Sequence, residues 1–488
     1  MEKCDVLVIG AGLLGCFAAR ALSAYELHTV VLEAREDVCT GISKANSGII
    51  YTGLDAVPGT LKAELCVRAN RDFDRLCAEL DVPFRRCGSL MIACGPRGET
   101  KLRKRYEQGI LNGVEGLELL SPAETRELES TLTDAVTLSL YAPGTGTVDP
   151  WVLGIAAYEN ARRNEVVFRF REEVRHLTRT GEGFLAETAG NSYLAGAVIN
   201  CAGLRADAVR ELTEPPKARL VPQAADYYVT DTSAGEQVKH VIFHEGEERG
   251  KGLTVIPTVD GNLLLGPTKR AWDGEEGMPT ESGGLAELRE LCREVVPTLD
   301  VGSIIRNFGS LRPIVEMGEI KNGVWTPSGE DVSSFLVMEE EGLFSLIGIK
   351  TPGLTCACEL GKMAAEKAIE YLGGAAKKED YDPTRRGIPR VRELPEEERT
   401  ALIIRDPDFG RIVCRCREIT RGEILESIRR GAVTVDGVKR RVGAGMGRCQ
   451  GGWCLQTVLE LLARETGQSV TTIEKDGPGS AVLTGTKR

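Results

Sequence analysis

No stretch of the chain approaches the run of about 20 apolar residues that crosses a bilayer, so direct membrane insertion is not expected. The opening MEKCDVLVIG has no small-residue cleavage site behind its apolar run, which leads straight into glycines. It does not read as a secretory signal, and the chain is expected in the cytoplasm, with membrane association only through a partner. Positive charge is in deficit: 61 Lys and Arg against 72 Asp and Glu leave a net charge of −11, which disfavours nucleic acid and anionic lipid as partners. Histidine is scarce at four residues, so any reaction that needs a histidine base has few places to find one. Internal repeats and low-complexity tracts are also missing, which leaves ordinary folded domains.

What is present is a chain of 488 residues, 42% hydrophobic and 27% charged, long enough for two or three domains with buried cores. Cysteine is plentiful, at 15, but the number is odd and most are scattered among apolar neighbours, where a free thiol behaves as a small hydrophobe. Four near the end differ. Cys414 and Cys416 form a C-x-C pair, and Cys449 and Cys454 follow as C-x4-C, a spacing that suggests an iron–sulfur cluster. Four thiolates also satisfy tetrahedral zinc, so both remain open on spacing alone.

At the other end, DVLVI reads as a short buried strand running into Gly10, Gly12, Leu14 and Gly15, then a helical pattern, then a second strand ending at Glu33. Strand, glycine turn, helix, strand and acid make the opening unit of a doubly wound nucleotide-binding fold. Gly10 and Gly12 permit a tight turn and close approach to a pyrophosphate, Gly15 lets helix and strand pack closely, and Glu33 accepts from a ribose hydroxyl. No second fingerprint of this kind follows, so electrons taken up by such a chain need another outlet.

Stretches with alternating apolar residues, such as GLTVIPTV and GNLLLGPT, interrupt the αβ character. The expected division is an α/β, Rossmann-like domain from residues 1–85, 146–215 and 336–373, with an antiparallel-sheet substrate domain inserted as 86–145 and 216–335. A charged, proline-containing segment over 374–409 reads as a linker or surface wrap. A small helical module over 410–466 carries the four cysteines, and 467–488 reads as a tail.

The segments GAGLLG, NSGIIYTGLDAVPGTLKAELC, VINCAGLRAD, FGSLRPI and GIKTPGLT, in this order and with Glu33, resemble the flavoprotein oxidoreductases of the D-amino-acid oxidase and glycerol-3-phosphate dehydrogenase superfamily. The NSG to PGTLKA segment looks like the 2-hydroxyglutarate oxidase branch. Residues 410–466 resemble the BFD-like [2Fe-2S] domain, which is similarly appended to the large subunit of anaerobic glycerol-3-phosphate dehydrogenase. The resemblance implies FAD, held by Asn46, Ser47 and Gly48, by Ala202 and Gly203, by the turn holding Gly348, Thr351, Gly353, Leu354 and Thr355, and at the adenine by the backbone of Val174. It also favours [2Fe-2S] over zinc.

A flavin dehydrogenase needs a cation for an anionic substrate and a group to take the hydroxyl proton. Arg312 is the expected anchor. Lys350 replaces the acid common in the hydroxyglutarate branch, and Tyr51 replaces its histidine. His244 is the favoured base, ahead of His240. The expected reaction is oxidation of a small anionic alcohol, sn-glycerol 3-phosphate first, a 2-hydroxy acid second and an amino acid or secondary amine third, with a non-catalytic electron-transfer subunit as the other class. Electrons would leave through the cluster to a second redox subunit, a flavoprotein or an iron–sulfur protein. Self-association is compatible with all of this.

Overall fold

In the computed structural model, which describes residues 1–245, 252–272, 274 and 277–485, the first strand is β1 (Glu2–Ile9). Its Val6, Leu7 and Val8 are wholly buried, as expected of a strand covered on both faces of a parallel sheet. Helix α1 (Leu13–Leu22) returns the chain to β2 (Thr29–Glu33), which lies parallel to β1 with Val6 opposite Thr29 and Ile9 opposite Leu32. On the other side of β1 lies Ser192–Asn200, followed by Leu343–Ile347, and beyond β2 lies Val167–Phe170, all parallel. Three further strands, His176–Thr180, Gly183–Glu187 and Leu336–Glu340, pair antiparallel at the margin and complete eight. Helices α1, Leu61–Leu80, Pro150–Arg163 and Gly353–Tyr371 pack one apolar core against this sheet.

A ten-stranded sheet stands over it, drawn from 89–142 and 218–327. Its spine is the antiparallel pair Ala218–Thr230 and Ile304–Lys321, in register from Ala218 opposite Met317 to Val229 opposite Arg306, with a shift that sets Thr230 opposite Ile304. Only Val241–His244 against Ser89–Ala93 is parallel among its described pairings, which is the mostly antiparallel sheet the alternation implied.

From Gly374 onward the chain is strapped to the first half. Asn160 Nδ2 donates to the carbonyls of Asp382 and Thr384 at 3.0 Å, and Arg385 Nε meets Glu159 at 2.7 Å. The module that follows has a two-stranded ribbon, Ile412–Cys414 with Ile419–Thr420, and helices Arg421–Arg429, Val435–Val442 and Leu455–Thr466. A capping box between Thr420 and Glu423 starts the first helix. Residues 467–485 are not a tail but part of the module: Ile473 is fully buried in the module core, and the carbonyls of Glu474 and Lys475 accept from Val435 and Asp436 backbone N–H groups at 3.1 and 2.7 Å. The sequence concealed this because one buried isoleucine in a polar segment has no period to read. Among the described residues, no helix is long and apolar enough to cross a membrane.

Candidate active site and cysteine cluster

A cavity of about 2350 Å³ lies between the two sheets, at the C-terminal ends of the parallel strands. At the end nearest β1, backbone shape defines it. A Cβ on Gly10, whose φ is +94°, would stand 2.7 Å from the Cys201 carbonyl oxygen, and one on Gly15 would stand 1.9 Å from the Gly10 carbonyl oxygen. Only glycine lets α1 begin so close to β1. Gly12, Leu14 and Glu33 line the cavity. Glu33 accepts from Ala11 N at 2.7 Å and Arg35 N at 2.9 Å; burial raises its pKa against these bonds. Val174, Ala202 and Gly203 also line it, and Gly203, at φ +62°, faces open space. The cradle fits a dinucleotide: no side chain fills the glycine turn, and an acceptor stands beside it.

Further in, Asn46 and Ser47 line the wall, while Gly48 sits behind it. Asn46 Oδ1 accepts from Gly48 N at 2.8 Å, and Gly48, at φ +70°, would press a Cβ to 2.7 Å from the Val148 carbonyl oxygen. Thr351, Gly353 and Leu354 line the cavity from the start of the last long helix. Two residues expected there do not. Gly348 is outside the lining, where a Cβ would strike Val315 at 2.0 Å, and the buried Thr355 hydroxyl accepts from Tyr51 N at 3.0 Å as a strut behind the wall.

The far end is made by side chains. Arg312, opposite Gln223 in the long strand pair, lines the cavity with Tyr51 and Lys350. The Tyr51 ring lies 5.9 Å from that of Phe243, and Tyr227 stacks on Phe308 at 5.0 Å beside them. Burial pushes the Tyr51 phenol up, Tyr227 and Asp55 add to this, and Arg312 opposes it. Burial lowers the half-buried Lys350 ammonium, Lys62 and Arg312 lower it further, and Asp331 opposes them. Sequence reasoning missed Tyr227, Phe243 and Phe308, although strand alternation around DYYVT and VIFH was the available signal.

The histidine expectation is corrected. Phe243 and Glu245 both line the cavity, so the alternation of a strand turns His244 to the opposite face. His240 Nδ1 is held by Glu129 Oε1 at 2.8 Å, and His28 Nδ1 by the Lys3 carbonyl at 2.8 Å. With His176 exposed on its marginal strand, none of the four histidines lines the cavity.

In the C-terminal module the thiols stand in two pairs, Cys414 with Cys454 and Cys416 with Cys449. The bond from Cys454, with the backbone N–H groups of Gly445 and Arg417, holds the Cys414 thiol well below its usual range despite burial. Burial raises Cys449, but the N–H groups of Trp453 and Gly451 and the Cys416 thiol outweigh it. A Cβ on Gly447 would reach within 2.4 Å of Cys416 Cβ, so that glycine lets the two cysteine loops close on each other. Among the described residues no three ligating side chains form a ready metal site, but the two thiol pairs, each with backbone donors, supply the chemistry of an iron–sulfur group. The module abuts both halves: Arg430 pairs with Glu159 of the first at 3.1 Å, while Gln450 accepts from Arg306 at 2.9 Å and Arg448 pairs with Asp231 at 2.8 Å in the second, and Met446 and Gln450 line the large cavity.

Residues 5–367 match the family described as FAD dependent oxidoreductase, and residues 412–464 match the BFD-like [2Fe-2S] binding domain. A glycerol 3-phosphate dehydrogenase of Caloramator mitchellensis is 41% identical over 99% of this chain and 98% of its own length. An L-2-hydroxyglutarate dehydrogenase of Bos taurus is 29% identical over 54% of this chain and 60% of its own, a more distant likeness. The FAD-bound L-alpha-glycerophosphate oxidase of Mycoplasma pneumoniae superposes with a TM-score of 0.71 at 25% identity, covering 79% of this chain and 99% of that one. The chain belongs to the FAD dependent oxidoreductase family and carries a BFD-like [2Fe-2S] binding domain behind its flavoprotein body.

Proposed function

We propose that the protein oxidises sn-glycerol 3-phosphate to dihydroxyacetone phosphate and passes the electrons through its own cluster to a second redox protein. The observation that carries this is the cationic end of the cavity, where Arg312, Lys62 and Lys269 all act on the half-buried Lys350 beside them. A phosphate dianion calls for more than one positive charge at one point, which Arg312 with Lys62 and Lys269 offers while Lys350 serves as the base; a dicarboxylate such as 2-hydroxyglutarate carries as much charge but divides it between two separated groups. The full-length likeness to a glycerol 3-phosphate dehydrogenase supports the same reading.

Bound FAD supplies the acceptor for the hydride leaving the carbinol carbon. The rest falls to the protein. Arg312 takes the phosphate and sets the distance between that anchor and the carbinol carbon. Lys350, whose proton is loosened by burial and by neighbouring cations, takes the hydroxyl proton as the carbonyl forms. Tyr51 keeps its proton and donates a hydrogen bond to the substrate oxygen. The aromatic wall of Phe243, Tyr227 and Phe308 excludes water around them.

The match of residues 412–464 to the BFD-like [2Fe-2S] binding domain supports [2Fe-2S] over zinc, with the four thiolates shared two to each iron. Such a cluster supplies a one-electron outlet. Cys416 is exposed, and close by Arg415 stacks on the exposed Trp453 at 5.1 Å, which makes this the face where a partner would collect electrons.

Anaerobic loss of flavin absorbance on adding a substrate panel tests the reaction. Bleaching by glycerol 3-phosphate and not by 2-hydroxyglutarate is expected; the reverse selects the hydroxy acid, and no bleaching by any candidate selects an electron-transfer subunit. Cys449→Ser is expected to remove the iron–sulfur absorption and transfer to an external one-electron acceptor while substrate bleaching persists.

A further inference from the structure

The loop after Glu33, residues 34–46, lines the dinucleotide end of the cavity and has one short helical turn, Ile42–Ala45, as its only regular structure. It is tied down from the far end of the chain. Asp37 accepts from both Nη1 and Nη2 of Arg441 at 2.7 Å, and Arg440 Nη2 approaches the same carboxylate at 3.4 Å. The side chains of Asp37 and Arg441 are each 1% exposed. Burial opposes the charge on Asp37, yet the two guanidinium groups prevail and lower its pKa. A second tie runs through the C-terminal strap, where Asp476 accepts from Arg440 at 2.6 Å and from Lys44 of the loop at 2.5 Å. A buried ion pair adds little net stability but defines one docked arrangement, since losing either partner strands a charge.

These ties bring module side chains into the cavity itself: Lys439, Arg440 and Asp476 share its lining with Gly10 and Glu33. Beside them is Glu36, 5% exposed and lining the same space, with neither carboxylate oxygen hydrogen-bonded to another residue. An unsatisfied buried acceptor is costly unless a ligand supplies the donor. Dinucleotide hydroxyls are such donors, and Lys439 and Arg440 are cations for its diphosphate.

We propose that the FAD site is composite: the helix Val435–Val442 and the strap at Asp476, both belonging to the cysteine module, close the dinucleotide end over Glu36, so that the chain retains FAD only while the module is docked. This rests on the flavin reading and adds to it a dependence of one cofactor's site on the other's domain.

Arg440→Glu in the full chain sets a third carboxylate beside Asp37 and Asp476. The expected result is FAD binding weakened about tenfold or more, equivalent to roughly 1.4 kcal/mol or above, read by flavin-fluorescence titration of stripped protein with iron–sulfur absorption retained. Arg440→Lys is expected to recover most of the affinity. Lys439→Ala guards against misfolding of the first variant, because among the described residues Lys439 pairs only with Asp436, at 2.7 Å on its own helix. It is expected to weaken FAD severalfold. Unchanged FAD affinity in Arg440→Glu and Lys439→Ala overturns the proposal. A wild-type chain that takes up no FAD would strike at the flavin reading instead.

Discussion

The two ends of the cavity are built by different means. At the dinucleotide end the main determinants are backbone positions: Gly10 and Gly15 admit no Cβ, and their neighbours are backbone atoms that cannot move aside. At the substrate end Tyr51, Lys350 and Arg312 arrive from three separated stretches, and what they offer is charge and a proton. The first end tolerates almost no change of shape, while the second tolerates shape changes and is sensitive to chemistry. Variants should therefore separate cofactor retention from turnover.

The largest expected effect is at the backbone end. In Gly15→Ala the new methyl would stand 1.9 Å from a backbone oxygen, so α1 must shift off β1, and overpacking of this kind costs about 1–3 kcal/mol or more. The expected product is folded protein without FAD, seen as flavin content per chain. Full flavin content would break the comparison, because shape would then not be what holds the cofactor.

At the other end, Lys350→Met should leave FAD content unchanged and lower kcat by about 10²–10⁴-fold, the usual contribution of a positioned base. Its pKa lies below that of an ordinary lysine, and only the neutral amine accepts a proton. The wild-type rate should accordingly rise with pH until Lys350 is deprotonated, and that limb should vanish in the variant. An unaltered profile would remove Lys350 from proton transfer. Next in size, Arg312→Ala should weaken substrate binding by about 2–5 kcal/mol with flavin retained, as for removal of one partner of a buried charge pair. A similar loss for phosphorylated and carboxylated substrates would make Arg312 a general anion site with no preference for phosphate.

The same contrast explains what could be read from the residues alone. GAGLLG and Glu33 fall within the one short stretch 10–33, and strand, turn and helix are each local, so their assembly is legible. The set of four cysteines was legible too, through spacing, but not its pairing, which crosses between the C-x-C and C-x4-C segments. His244 was misplaced because a strand assigns faces by single-residue alternation, and nothing local phases VIFH against the cavity. Gly348 and Thr355 flank true lining residues yet stand behind the wall, a distinction of a few ångströms that turn composition does not encode. The Asp37 to Arg441 pair joins residues 404 positions apart, and either alone reads as an ordinary surface charge.

Tyr51 gives the smallest and sharpest test of the substrate end. It stands where the hydroxyglutarate-like pattern has histidine, and a histidine there could accept a proton. Burial beside Tyr227 and Asp55 instead holds the phenol above the usual tyrosine range, so at neutral pH it remains protonated and can only donate. Tyr51→Phe removes one hydrogen bond to the substrate oxygen and keeps the ring against Phe243, so kcat/KM should fall only by the worth of that bond, about 1 kcal/mol. The pH profile should not move, because Lys350 still takes the proton. A fall as large as that of Lys350→Met, with loss of the alkaline rise, would transfer the role of base to Tyr51 and leave Lys350 as a second phosphate cation beside Arg312.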